Sequence, residues 1–146
     1  MLGRKLFRRE KRTRVSNFYE CKIEWNGIVY PSVENAYQAQ KCPELAMSFV
    51  DITPNKAKNF GKKVKVRYDW DDIKLRLMFD LVKQKFQDPE LLAKLREIKG
   101  PIVEHNWWHD NYWGACTCDK CRSKTKFNKL GSILEWIRDK DASTNN

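Results

Sequence analysis

Side chains able to do chemistry gather in three places in this sequence. Residues Glu104-His105-Asn106-Trp107-Trp108-His109-Asp110-Asn111-Tyr112-Trp113-Gly114 put three of the six tryptophans, both histidines, two carboxylates and two carboxamides into eleven positions. Aromatic faces alternating with groups that take or give protons suit a site that grips a flat or sugar-like ligand and does acid–base work on it. A buried strand would not carry so many polar groups, since each one left unpaired costs about 1–3 kcal/mol. The competing reading is an exposed Trp-rich loop of structural use only. Just beyond it, Cys116-x-Cys118-x-x-Cys121 sets three soft ligands within six residues. Three thiolates need a fourth donor to close a tetrahedral zinc site, for which His109, His105 and Cys42 are the candidates. Three reduced cysteines in a basic loop is the alternative, and no HExxH pattern argues for a catalytic metal. The third place is Glu34, Gln38 and Lys41, whose i, i+4, i+7 spacing puts them on one helix face. Such a polar stripe is ordinarily the solvated side of an amphipathic helix.

Other chemistries lose their usual support, because the chain has no GxGxxG, no P-loop and no GxSxG. A Cys116–His109 nucleophilic pair has suitable groups, but nothing in the sequence orients it. The remaining inventory is carboxylates (Glu34, Glu104, Asp110), amines (Lys41, Lys85) and aromatics (Trp70, Trp107, Trp108, Trp113). It fits cleavage of a glycosidic bond, with acid assistance to the leaving group, carboxylate stabilisation of an oxocarbenium-like centre and aromatic stacking on a base.

The elements that must hold these groups read as α+β, with more helix than strand. At 146 residues the chain suits one domain with its own core. Hydrophobic residues at 41% and aromatics at 12% argue for a folded chain. No apolar run approaches the roughly 20 residues of a membrane span, and the basic N-terminus leads into no apolar stretch. With five cysteines and no secretion signal, thiols or metal ligands in a reducing cytoplasm are expected rather than disulfides. Residues 1–13 form a basic arm, 14–139 the folded domain and 140–146 a polar tail. Within residues 1–14, seven bases stand against one acid, Glu10, a net +6 of the chain's +10. Such an arm attracts nucleic acid through counterion release, or is simply a solvated tail. Asn26-Gly27 between two short apolar runs predicts a hairpin. Ser32, Thr53, Asp69 and Asp88 predict the caps of helices beginning near Val33, Pro54, Trp70 and Pro89, with one more helix over 44–50 and a last one over 128–138. Pro101–Glu104 reads as a short strand delivering the aromatic loop.

Taken together, the motifs resemble a known family. Ser16-Asn17-Phe18-Tyr19, Gly27 and Tyr30-Pro31-Ser32-Val33-Glu34-x-Ala36-Tyr37-Gln38-Ala39-x-Lys41 are similar to the opening of the NADAR (NAD and ADP-ribose) superfamily of YbiA-like N-glycosidases. Thr53-Pro54-x-x-Ala57-Lys58-x-x-Gly61, Asp69-Trp70, Met78 and Lys85-Phe86 resemble its middle. Val103-Glu104-x-Asn106-x-Trp108-x-Asp110-x-Tyr112-Trp113-Gly114 and Asn128-x-Leu130-Gly131-x-Ile133-Leu134-x-x-Ile137-Arg138 resemble its end. The resemblance implies a compact, mostly helical α+β domain with a short N-terminal hairpin, and hydrolysis of a bond between ribose and an exocyclic amine. One branch of the family acts on phosphoribosylated riboflavin intermediates. Another removes ADP-ribose from guanine in DNA, reversing DarT-type toxins as an antitoxin or a phage counter-defence. The basic arm favours the DNA substrate here; a non-catalytic ADP-ribose or nucleic-acid binding module is the remaining alternative.

By the same resemblance, Glu34, Lys41 and Asp110 are the catalytic candidates. Asn17, Tyr37, Gln38, Trp70, Lys85, Asn106, Trp113 and Asn128 are the substrate-binding ones, with Trp107, Trp108 and Tyr112 expected largely to pack. No cofactor is required for this chemistry, and zinc at Cys116, Cys118 and Cys121 would be structural. The chain departs from the family at Ala115–Phe127, where a short Gly-rich link is usual, and at Lys99-Gly100, where Thr-Gly is usual.

Overall fold

Asn26 and Gly27, with φ of 51° and 80°, make the tight turn that the Asn-Gly pair predicts. Around it β1 (Ile23–Trp25) and β2 (Ile28–Tyr30) pair antiparallel, Ile23 opposite Tyr30 and Trp25 opposite Ile28. The computed structural model describes residues 14–140, so the basic arm 1–13 and the tail beyond Lys140 lie outside the described residues. The described residues form two compact units, one running to Lys94 and one starting at Leu95.

In the first unit, α1 (Val33–Ala39) follows the hairpin directly, and Ser32 caps it by accepting from the Asn35 amide. A 3₁₀ segment, Pro43–Phe49, takes the place of the α-helix expected over 44–50; Leu45 inside it has non-helical angles. Then come α2 (Pro54–Gly61), capped by Thr53, and α3 (Trp70–Lys85). Asp69 makes no cap for α3, contrary to expectation. Arg67, two residues earlier, holds its carboxylate at 2.5 and 2.9 Å. That pairing keeps the Asp69 carboxyl below its usual range, the bond to Arg67 outweighing burial. Helix α4 (Pro89–Arg96) is capped by Asp88, which accepts from the Glu90 amide at 2.9 Å.

Ile23, Tyr30, Val33, Ala36, Phe49, Leu81 and Val82 are buried in this unit. Each large apolar side chain so removed from water contributes roughly 1.5–3 kcal/mol before entropy is charged against it. Two amide side chains fasten the pieces. Gln84 on α3 exchanges hydrogen bonds of 2.7 and 2.8 Å with the Glu24 backbone, fixing the hairpin. Asn35 on α1 donates to the carbonyls of Phe49 and Ile52, both at 2.9 Å, fixing the 3₁₀ segment and the approach to α2.

The second unit holds its strand later than the sequence predicts. Residues 101–104 are not a strand; β3 is His105–Asn106, pairing in parallel with β4, Ala115–Cys116. A 3₁₀ turn over Asp119–Cys121 follows, and α5 (Lys129–Lys140) is the last element among the described residues, burying Ile133, Leu134 and Ile137. No helix among the described residues is long and apolar enough to cross a membrane.

Candidate active site and metal centre

Helix α1 is buried at all seven positions, so the Glu34–Gln38 stripe is not a solvated face. Glu34 is 8% exposed and Gln38 6%. Gln38 Nε2 donates to Glu34 Oε1 at 2.8 Å. Gly61, the last residue of α2, lies against Gln38: a Cβ there would collide with the Gln38 carboxamide. Gly61 therefore buys the space in which Gln38 reaches Glu34. The Glu34 amide donates to the carbonyl of Asn17 at 3.0 Å, so the segment before the hairpin lies against the start of α1.

Among the described residues of this unit, two buried acceptors take no hydrogen bond, Asn17 Oδ1 and Gln38 Oε1. Buried polar atoms are nearly always satisfied, and an orphaned one calls for a ligand, a water or stored strain. The Asn17 side-chain nitrogen donates to the Met78 sulfur at 3.4 Å.

Lys41 is half-buried just past α1, its Nζ 5.8 Å from the Trp70 ring centroid. Trp70 in turn packs on Tyr37, centroids 5.0 Å apart and tilted by 54°. Burial lowers the Lys41 pKa from the ordinary 10.5; the Glu34 charge opposes this, while Lys62 and Lys74 add to it. Glu34, Tyr37, Gln38, Lys41 and Trp70 thus form one neighbourhood. Lys62 and Lys74, which the motifs did not single out, belong to it through their charge. Lys85 is buried and donates to the Ser16 carbonyl at 2.6 Å, with the rings of Tyr19 and Phe86 at 5.5 and 5.2 Å. It ties down the segment that carries Asn17.

In the second unit the polar groups of the aromatic loop build the loop itself. Asn106 is buried; its Nδ2 donates to the Asp110 carbonyl at 2.7 Å and its Oδ1 accepts from the amides of Trp108 and Asp110. Asp110 Oδ1 accepts from the amides of Tyr112 and Trp113 at 3.0 and 2.9 Å. Asn111 Oδ1 accepts from the Cys116 amide at 2.9 Å. Short Asx side chains are suited to such turns. They allow parallel strands to be joined by eight residues, fewer than a crossover usually needs. Asn128, at φ 46°, accepts from the Glu104 amide and donates to the Ile102 carbonyl. Trp113 is half-buried and packs edge-on against Tyr112 at 4.8 Å. Trp107 and Trp108, expected to pack, are instead 72% and 49% exposed.

The cysteines converge as the spacing predicts, and of the three candidate fourth donors it is His109 that joins them. Its Nδ1 lies 3.9, 3.3 and 3.4 Å from the sulfurs of Cys116, Cys118 and Cys121, and the four donor atoms all fall within 4.8 Å of one another. For zinc bound to sulfur at about 2.3 Å and to nitrogen at about 2.0 Å, a tetrahedron has edges of roughly 3.5–3.8 Å. His109 reaches this place through a left-handed backbone, φ 69°. Burial alone would raise the Cys116 thiol; bonds from the Cys118 backbone and thiol, the His109 backbone and the Cys121 thiol bring it down to about 6. The cluster could hold a metal ion. Cys42 lies elsewhere, its thiol on Glu44 Oε2 at 3.1 Å.

Fold and site define a class: a helix-rich α+β domain that buries a carboxylate–carboxamide pair beside a lysine of lowered pKa. The NADAR domain model matches residues 6–140, and the chain belongs to the NADAR domain family. It is similar to the N-glycosidase YbiA of Escherichia coli, 29% identical over 138 residues that make up 85% of this chain and 78% of that one. The solution structure of that protein superposes with a TM-score of 0.71, covering 88% of this chain and 77% of the other at 28% identity. A riboflavin biosynthesis protein of Vibrio vulnificus is 28% identical over 131 residues, and a chloroplastic one of Zea mays is 28% identical over 144. The chain spans 34% and 22% of the length of those two relatives.

Proposed function

We propose that this protein is an N-glycosidase that hydrolyses the bond between a ribose C1 and an exocyclic base amine. The observation that carries this reading is the buried Glu34–Gln38 pair, with orphaned amide acceptors on Gln38 and Asn17 and the half-buried Lys41 nearby. Orphaned acceptors suit a ligand rich in hydroxyl and N–H donors. In the proposed step the C1–N bond breaks with its electron pair going to nitrogen, and a water oxygen bonds to C1. Glu34 takes the proton from that water and returns one to the departing amine. Tyr37 and Trp70 offer a stacking surface, and Lys41, Lys62 and Lys74 counter the charge of substrate phosphates. In the second unit, Asp110 has lone pairs left after capping two amides, and the family resemblance assigns it to ribose hydroxyls and Trp113 to stacking.

The favoured substrate is ADP-ribosylated guanine in DNA, supported by the +6 of residues 1–14. A second reading, a phosphoribosylated riboflavin intermediate, is supported by the names of the Vibrio and maize relatives. Turnover of ADP-ribosylated single-stranded DNA against that small intermediate decides between them. Release of free ADP-ribose supports the first, and turnover of the small substrate alone replaces it with the second. Turnover of neither overturns the glycosidase reading and leaves a binding module. Lys41 has a further possible use: its neutral amine can attack C1 of a ring-opened riboside, expelling the base amine and leaving an imine that water cleaves. Borohydride would trap that imine in the native protein and not in Lys41→Ala. We also assign zinc as the metal of the His109, Cys116, Cys118 and Cys121 cluster, in a structural role, since four protein donors close the coordination shell.

A further inference from the structure

The second unit carries a surface that the glycosidase reading does not use. Trp107 and Trp108 stand exposed with their rings edge-to-face at 5.1 Å. Phe127 is 55% exposed, and its amide donates to the Asn111 carbonyl at 2.8 Å, which joins it to the same loop. Exposing three large rings on one loop system is costly and marks a contact surface.

Cations accompany the rings. Asp119 to Lys126 holds four bases against a single acid. Lys120 and Lys124 are exposed, while Arg122 leans on Asp119 at 3.0 Å. Lys129 sits over the Phe127 ring at 5.8 Å. The cysteine cluster sets these groups beside the tryptophans: Trp108 is the neighbour of His109, and Lys120 the neighbour of Cys121, whose sulfur lies 3.4 Å from the His109 ring. The Thr117 amide and hydroxyl both donate to the Asn106 carbonyl, closing the loop's base.

Exposed rings interleaved with lysines match single-stranded nucleic acid, in which every base offers a face to stack and every link a phosphate. Duplex DNA keeps its bases stacked on one another and would use only the charge. We propose that Trp107, Trp108 and Phe127, with Lys120, Arg122 and Lys124, form a binding surface for an unpaired nucleic-acid strand. It shares its partner class with the DNA reading above, but binding here needs no ADP-ribose and no turnover.

The test is fluorescence anisotropy of the full-length protein with labelled, unmodified oligodeoxythymidine, oligouridine and a DNA duplex of equal length. The native chain binds a single strand more tightly than the duplex, and the tighter of the two strands names the source as DNA or RNA. Trp107→Ala/Trp108→Ala weakens single-strand binding about tenfold or more and leaves the charge-driven duplex binding unchanged. Phe at both positions, which keeps the rings, restores most of the loss. Lys120→Ala/Lys124→Ala lowers the slope of log affinity against log salt by about 1.4. Equal affinity for duplex and single strand, or full single-strand affinity in the double-alanine variant, overturns the proposal. Neither outcome bears on release of ADP-ribose, so failure here and failure of the glycosidase reading are read separately.

Discussion

Gln38 reaches back one helical turn to donate 2.8 Å to the carboxylate of Glu34, and Gly61 on the next helix leaves it the room to do so. A buried carboxylate is expensive to ionise without a donor, and a hydrogen bond to a charged group is worth about 1.5–3 kcal/mol. The three residues therefore act as one device: an acid, the donor that orients it, and an absent side chain that makes the contact possible.

Gly61→Ala should break that device. The added methyl meets the Gln38 carboxamide, so the variant should lose about 1–3 kcal/mol of stability, as overpacked cores do. Turnover should fall because Gln38 is pushed away from Glu34. Gly61→Ala combined with Gln38→Ala removes the collision, so thermal melting should recover toward the native value while turnover does not. If Gly61→Ala melts and turns over like the native protein, Gly61 is not what positions Gln38.

The acid–base residue itself is tested by Glu34→Gln, an isosteric change. We expect turnover to fall by about 10²–10⁴, the usual worth of a positioned proton-transfer group. Calorimetric affinity for free ADP-ribose should stay within a few-fold of native. Native turnover in this variant would remove Glu34 from the reaction.

How these residues were legible in the sequence differs by the range of the forces involved. Caps at Ser32, Thr53 and Asp88 were readable because a cap is a contact across two or three residues. Asp69 looked the same in sequence and failed, since Arg67 competes for its carboxylate. The i, i+4, i+7 stripe was readable as a face, but what covers that face was not. A buried stripe has the same spacing as a solvated one, and Gly61 is the one residue that hints at a close approach to Gln38. The aromatic loop shows the same limit: spacing does not tell that Asn106, Asp110 and Asn111 each also hold backbone groups of the loop itself. The strand expected at 101–104 lies at 105–106 because its pairing with 115–116 depends on that folded loop. Among three possible fourth donors to the cysteines, only the left-handed turn at His109 decides, and φ is not written in spacing.

Lys41 should leave a signature in pH. Burial holds its folded-state pKa below 10.5, so between the folded and unfolded values the unfolded chain binds more protons and stability rises with pH. The penalty is present in full below the folded pKa and gone above about 10.5. Lys41→Met should therefore melt above the native protein at neutral pH, with the difference shrinking as pH rises toward 10.5. The same depressed value puts any rising limb of kcat/KM that belongs to the neutral amine below 10.5. A neutral-pH melting temperature for Lys41→Met at or below native would show that burying the charge costs nothing.

Asp110 separates folding from ligand contact. Asn keeps an oxygen that can accept from the amides of Tyr112 and Trp113, whereas Ala abandons both. Asp110→Ala should cost about 1–2 kcal/mol, in line with loss of a cap. Asp110→Asn should melt near the native temperature yet lose at least about tenfold in kcat/KM, because the charge that would hold ribose hydroxyls is gone. Native kcat/KM in Asp110→Asn would leave this residue a loop-building role alone.

Metal removal tests the last piece of the second unit. Its four donors come from a segment of thirteen residues, His109 to Cys121, in which the buried apolar side chains are Ala115, Cys116 and Cys121. A loop of that kind gains most of its order from a shared ion, because binding energy at a structural zinc is folding energy for the residues that supply the ligands. The protein as purified without chelator should contain one zinc per chain by elemental analysis, and Cys118→Ser or His109→Ala should lose it. Stripping the metal should lower the melting temperature by several degrees, as loss of any ligand bound only to the folded state does. Amide hydrogen exchange should then speed up over residues 105–121, while the amides of α1 keep their protection. Zinc at well under one equivalent, with melting and exchange unmoved when zinc is added back, would leave His109 and the three cysteines a hydrogen-bonded thiol cluster.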